Sequence, residues 1–131
     1  MDCPACREPM IVLELADVEV DYCLACRGIW LDKGELELLI ENSAERDAVC
    51  GSIRPAAGAV GPRLPCPICR RDMDQVLCGA GGAGLRLDRC GGHGMWFDRG
   101  ELRDVLKQGV PADNRVLGLL NDIFGNTPQP S

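Results

Sequence analysis

The feature that most constrains this chain is a pair of cysteine motifs that occurs twice. Cys3-Pro4-Ala5-Cys6 is followed by Cys23-Leu24-Ala25-Cys26, and Cys66-Pro67-Ile68-Cys69 by Cys90-Gly91-Gly92-His93. The spacings read C-x2-C-x16-C-x2-C and C-x2-C-x20-C-x2-H. Two cysteines separated by two residues can present both sulfurs to one ion from a tight turn, and two such turns complete a tetrahedron. His93 falls where the first copy has Cys26, and Cys and His exchange freely as zinc ligands. The reading is two bound Zn²⁺, one held by Cys3, Cys6, Cys23 and Cys26 and one by Cys66, Cys69, Cys90 and His93. Four thiolates also suit iron, but the histidine of the second set speaks against it. A redox dithiol would normally open a helix in a βαβ setting, and no such pattern is present. Cys50 and Cys78 fall outside the motif and read as small buried or linker residues.

The repeat extends beyond the ligands. After the second turn the first copy runs Gly28-Ile29-Trp30-Leu31-Asp32-Lys33-Gly34-Glu35-Leu36, and the second runs Gly94-Met95-Trp96-Phe97-Asp98-Arg99-Gly100-Glu101-Leu102. Between the two turns, Ile11–Leu15 and the alternating Val18–Tyr22 predict a β-hairpin. Val76–Cys78 and Leu85–Asp88 predict the same hairpin with a looser, glycine-rich turn. Asp32-x-x-Glu35 and Asp98-x-x-Glu101 resemble capping boxes, with each Asp as N-cap, and apolar residues at helical spacing follow them. The two tryptophans are expected to pack over the hairpins beside the metal.

The expected fold is therefore a small, metal-stabilised α+β chain. Two tandem zinc ribbons, each a knuckle, hairpin and knuckle, are each followed by a short capped helix. The boundaries are module one at 1–49, a flexible linker at 50–64, module two at 65–110, and a C-terminal amphipathic helix and tail at 111–131. The linker reading rests on three Gly, three Pro and three Ala between Cys50 and Pro65 with no apolar period. With 16 Gly, 9 Pro and only five aromatics, the chain has little material for a large core, and metal binding is expected to take its place.

Four protein ligands close a zinc site, whereas a catalytic zinc keeps an open position. The one histidine is used as a ligand, so no Ser-His or Cys-His dyad can be built. The expectation is a protein that is not an enzyme. No apolar run approaches the length of a membrane span, and no signal peptide is visible, so a reducing, cytoplasmic setting is expected.

The run C-P-x-C … C-x-x-C-x-G-x-W-x-D-x-G-E-L resembles the bacterial family of transcription-factor-IIB-type zinc-ribbon proteins. The first copy fits it closely. The second departs by carrying His93 and by lacking one residue before Trp96. The resemblance spans about residues 1–42 and 64–107, and it implies zinc, the ribbon fold and a link to transcription.

Charge bears on the partner. The net charge is −6, with 5 basic and 12 acidic residues in 1–62 against 9 and 8 in 63–131. An acidic first module is a poor surface for nucleic acid. The leading expectation is a protein-binding adaptor. The alternative is nucleic-acid contact through Arg70, Arg71, Arg86, Arg89, Arg99, Arg103 and Lys107 of the second module, and a redox- or metal-responsive zinc switch is a third reading. Arg99, Arg103 and Lys107 share a helix face whose counterpart carries Lys33, Glu37 and Glu41; two solvated faces are the leading reading of these stripes, and modules that face each other or a charged partner are the alternative.

Overall fold

The structure, a computed structural model, describes residues 1–58, 61–79 and 84–124. Its elements in chain order are β1 (Ile11–Leu15), β2 (Val18–Tyr22), β3 (Ile29–Asp32), α1 (Glu35–Leu39), α2 (Ser43–Cys50), β4 (Arg54–Pro55), β5 (Asp74–Cys78), β6 (Leu85–Cys90), β7 (Gly94–Phe97), α3 (Glu101–Lys107) and α4 (Arg115–Phe124). The two hairpins have the same register: Ile11 faces Tyr22 and Leu15 faces Val18, as Asp74 faces Arg89 and Cys78 faces Leu85. The first turns at Ala16-Asp17, both at positive φ. Residues 80–83 of the looser glycine-rich turn lie outside the described residues.

The copies are not separate beads. The strands carrying the tryptophans pair with each other, Trp30 opposite Trp96, Ile29 opposite Phe97 and Leu31 opposite Met95. Equivalent residues thus exchange across a pseudo-two-fold axis, and one antiparallel sheet of order β1-β2-β3-β7-β6-β5-β4 runs through both copies. The junction is this backbone ladder, not the charged helix stripes.

Alternation along β3 and β7 sorts side chains to two faces. Ile29, Leu31 and Phe97 join Leu15, Val20, Tyr22 and Leu87 beneath the helices, where Leu36, Leu39, Leu102, Val105 and Leu106 close the main core. Trp30 and Trp96 turn the other way, into a second cluster with Cys3, Cys23, Cys66 and Met73. Each indole reaches across the axis. A Cβ on Gly28 would lie 2.2 Å from the Trp96 ring, and one on Gly94 would lie 2.9 Å from the Trp30 ring. Gly28 is required by the Trp96 ring, whereas at Gly94 the Leu31 carbonyl and a positive φ of 153° exclude a side chain before the Trp30 ring does.

Residues 59–60 of the flexible linker expected at 50–64 lie outside the described residues, and the rest, 50–58 and 61–64, correct that expectation. They hold the end of α2 and all of β4, and β4 pairs with β5, Arg54 opposite Leu77 and Pro55 opposite Val76. Ser52 Oγ accepts from Gly79 N–H at 3.0 Å, and Cys50 and Ile53 pack on the main core. The chain following the first copy therefore packs on the second. The reverse also holds: α4, which follows the second copy, sits on the first. Tyr22 meets Phe124 edge-on at 6.3 Å between ring centres, and Arg27 lies 5.8 Å over the Phe124 ring while donating to the Ile123 carbonyl at 2.7 Å. The apolar face of α4 is buried through Val116, Leu117, Leu120 and Phe124. Asn42 and Asn114 cap the two helices, accepting from Glu45 N–H at 3.0 Å and Leu117 N–H at 3.1 Å.

Gly28→Ala should destabilise the fold by about 2–3 kcal/mol, because the new methyl overlaps a ring with no free volume around it. Gly118→Ala, in α4 with open space at the Cβ position, should instead add about 0.5–1 kcal/mol. Urea denaturation of the two variants beside the parent checks both signs.

Candidate metal centres

The ribbon turns position the ligands. In the first copy Arg7 N–H bonds to Cys3 C=O at 2.9 Å and Arg27 N–H to Cys23 C=O at 2.8 Å. In the second, Arg70 N–H bonds to Cys66 C=O at 2.8 Å. Each of these arginines takes a left-handed backbone, φ 69°, 67° and 65° in turn, which folds the chain back beneath the second cysteine. The fourth turn is one residue tighter: His93 N–H bonds to Cys90 C=O at 3.1 Å. That is where the second copy lost its residue.

Side chains then converge as the spacing implies. Cys3, Cys6, Cys23 and Cys26 place their sulfurs within 4.8 Å of one another, and so do the donor atoms of Cys66, Cys69, Cys90 and His93. Individual separations are 3.3 Å for Cys3–Cys26, 3.4 Å for Cys6–Cys23, 3.9 Å for Cys69–Cys90, and 3.4 Å from Cys90 Sγ to His93 Nδ1. A tetrahedral ion with metal–sulfur bonds of about 2.3 Å sets its sulfurs about 3.8 Å apart. Both clusters therefore have the donor set and the size to hold a metal ion. Backbone amides point at the sulfurs, Ala5 N–H at Cys3, Cys26 N–H at Cys23 and Ile68 N–H at Cys66, each at 3.4 Å.

These amides shape thiol acidity. Burial opposes ionisation of Cys23, but the N–H of Cys26 and the thiols of Cys6 and Cys26 outweigh it and bring it down to about 7. Cys69 also falls to about 7, through the Arg71 N–H against a smaller effect of burial. Burial pushes Cys3, Cys26 and Cys66 upward. Each cluster thus holds at least one thiol poised to ionise near neutrality, as a metal ligand must.

Both clusters rest on the same tryptophan pair, and the capping carboxylates serve the tryptophans. The expected N-cap role of Asp32 and Asp98 is corrected here: Gly34 and Gly100 occupy the N-cap positions, with no side-chain cap bond. Asp32 Oδ1 instead accepts from the Trp30 indole N–H at 2.8 Å, and Asp98 Oδ1 from Trp96 at 2.9 Å. The glutamates do reach back, Asp32 N–H donating to Glu35 at 2.6 Å and Asp98 N–H to Glu101 at 2.8 Å. A buried indole N–H needs a partner more than an exposed helix start does.

The result is a carboxylate cluster beside each tryptophan: Asp21, Asp32 and Glu35, then Asp88, Asp98 and Glu101. Burial and the neighbouring carboxylates raise Glu101 to about 7, and burial with Asp98 raises Asp88 to about 6. Asp21 and Glu35 are raised for the same reasons. Sequence reasoning missed these clusters. The register that sets Asp21 opposite Trp30 and Asp88 opposite Trp96 was the signal available.

The arginines of the second copy do not share one role. Arg86 donates to Gly58 C=O and Gln75 Oε1, both at 3.0 Å. Arg70 and its equivalent Arg7 both line a cleft of about 340 Å³. Arg89 lines a groove of about 430 Å³ with Lys33, Glu37 and Cys50. Arg99 and Arg103 flank Phe124, while Arg71 and Lys107 are exposed. Cys78 is a core residue at the position Leu15 takes in the first copy. Burial and then Glu37 push the Cys50 thiol to about 11.

Residues 2–42 match the transcription factor zinc-finger family. The match covers the first copy through the end of α1 and shows one zinc ribbon there. The second copy is tied to the first by its identical hairpin register and its own ligand cluster. Comparison with curated proteins and with solved structures gave no match. Among the described residues no helix is long and apolar enough to cross a membrane.

The raised carboxyl of Glu101 has a defined sign. Its folded value exceeds the ordinary value of 4.5, so the folded state loses stability as pH rises from there to about 7 and no more above it. Glu101→Gln keeps an oxygen for the Asp98 N–H and removes the charge. The variant should gain on the parent by more at pH 8 than at pH 6, read from urea midpoints at the two pH values.

Proposed function

We propose that this is a non-enzymatic zinc protein with one structural Zn²⁺ per copy, serving as an adaptor that presents its outer surfaces to a partner protein in a transcription-related setting. The observation that carries the reading is that each cluster supplies four protein donors to one point. A site so filled has no position left for substrate or water. Cys3, Cys6, Cys23 and Cys26 hold one ion, and Cys66, Cys69, Cys90 and His93 the other. Zinc supplies no reaction there; it fixes the turns that seat Trp30 and Trp96. Binding energies of about 10 kcal/mol or more for a structural zinc rival the whole stability of a small domain. The transcription link rests on the family match of the first copy.

Nucleic acid is a second reading, favoured by the presence of both Arg7 and Arg70 in the lining of one cleft. A gel shift with single- and double-stranded probes at low salt tests it. The expected pattern is loss of binding in Arg7→Glu/Arg70→Glu, and an unshifted probe removes the reading.

The native chain should contain two zinc ions by atomic absorption, and strong chelation should unfold both copies. Cys23→Ser should disturb both tryptophans, although it alters one site, because the two indoles interlock across the axis. Near-ultraviolet circular dichroism reads this. A variant that loses half its signal and half its zinc would instead describe two independent modules.

A further inference from the structure

The covered edge at β5 shows what the opposite edge of the sheet can accept. Because the hairpins share one register, Val12, Leu13 and Glu14 on β1 stand where Gln75, Val76 and Leu77 stand on β5. On β5 these positions are covered. Arg54 lies opposite Leu77, Pro55 opposite Val76, and Gln75 C=O accepts from Ala56 N–H at 3.1 Å. β1 is the last strand on its side, and among the described residues no strand lies beyond it. The backbone groups of Val12 and Glu14 that correspond to the paired ones of Gln75 and Leu77 therefore face outward. Ile11 and Val12 are 44% and 63% exposed along the same edge. An uncovered apolar edge is a template for another strand.

Charge says which strand. Glu14 lies directly opposite Glu19, and both are exposed. Like charges facing across a ladder are destabilising. None of the ion pairs among the described residues involves either glutamate. In the second copy the same cross-strand row reads Arg54, Leu77, Arg86. The first-copy row, Glu14 then Glu19, lacks the basic residue that β4 supplies at the other edge. Asp21 lies opposite Val12 on the same face. A second copy of this chain would bring another Glu14 and another acidic half to this edge, so self-pairing is opposed.

We propose that β1 is a docking edge for an extended basic–apolar segment of a partner protein. The segment runs antiparallel to β1, with Lys or Arg opposite Glu14 and an apolar residue opposite Leu13. Main-chain bonds to Val12 and Glu14 supply the affinity, and the Glu14–Glu19 row selects the cation. The inference rests on the adaptor reading above and names the surface through which it operates.

The test uses the full zinc-loaded chain and the peptide Ac-Thr-Arg-Val-Ile-Val-Lys-NH2, with its Arg placed for Glu14. Amide shifts are followed by NMR, and zinc content and tryptophan circular dichroism are read on the same sample. Expected are shifts centred on residues 11–15, affinity about tenfold weaker when the peptide Arg is replaced by Glu, and loss of binding when the peptide is N-methylated at that Arg. Glu14→Lys should reverse the preference between the two peptides. Shifts centred elsewhere, equal binding of the Arg and Glu peptides, binding of the N-methylated peptide, or burial of β1 in a dimer of this chain would each overturn the proposal. Failure to bind with two zinc ions and the fold intact overturns the docking edge alone. A chain that folds without zinc overturns the adaptor reading beneath it.

Discussion

The pairing of β3 with β7, which sets Trp30 opposite Trp96 at the pseudo-two-fold axis, is the constraint from which the rest of the structure follows. A ribbon of about 45 residues buries too little surface to stand alone, and metal is the usual remedy. Here a second remedy is added. Each indole occupies space vacated by a glycine in the other copy, so the two metal clusters share one apolar floor and the two hairpins become one sheet. On the far face of that sheet, Ile29, Leu31 and Phe97 from the same two strands seed the helical core. One ladder therefore joins both layers.

Around that axis the copies diverge in how their margins are closed. The segment after the first copy crosses to the second hairpin as α2 and β4, and the segment after the second crosses to the first as α4. This exchange ties residues 52–55 of the connection between the copies to the second hairpin. It also leaves the two ends of the sheet unlike: β5 is covered and β1 is open. The core is symmetric and the edges are not.

Polar groups follow the same hierarchy. The aspartate that a helix start would take as its N-cap is drawn to a buried indole N–H, and the helix is left with a left-handed glycine in its place. Crowding of three carboxylates beside each indole accompanies the bond that satisfies its N–H. The raised carboxyls of the second copy arise from burial first and from this crowding second. Their recurrence in the first copy marks them as part of the tryptophan seat.

The sequence by itself determined the ligand sets, the hairpins, the helices α1 and α3, and the apolar face of α4. These are local: ligand spacing, alternation of period two and helical period are each read within a few residues. Only the tertiary structure decided that the copies pair through β3 and β7, that the segment from Cys50 to Pro65 carries β4, and that Asp32 and Asp98 serve indoles rather than helix ends. Four-residue strands with no flanking alternation carry no period to read, and a two-residue strand ending in proline reads as a turn. Their structure comes from partners distant in sequence, and a hydrogen-bond acceptor's choice between a nearby amide and a buried indole is settled by which donor the fold removes from water.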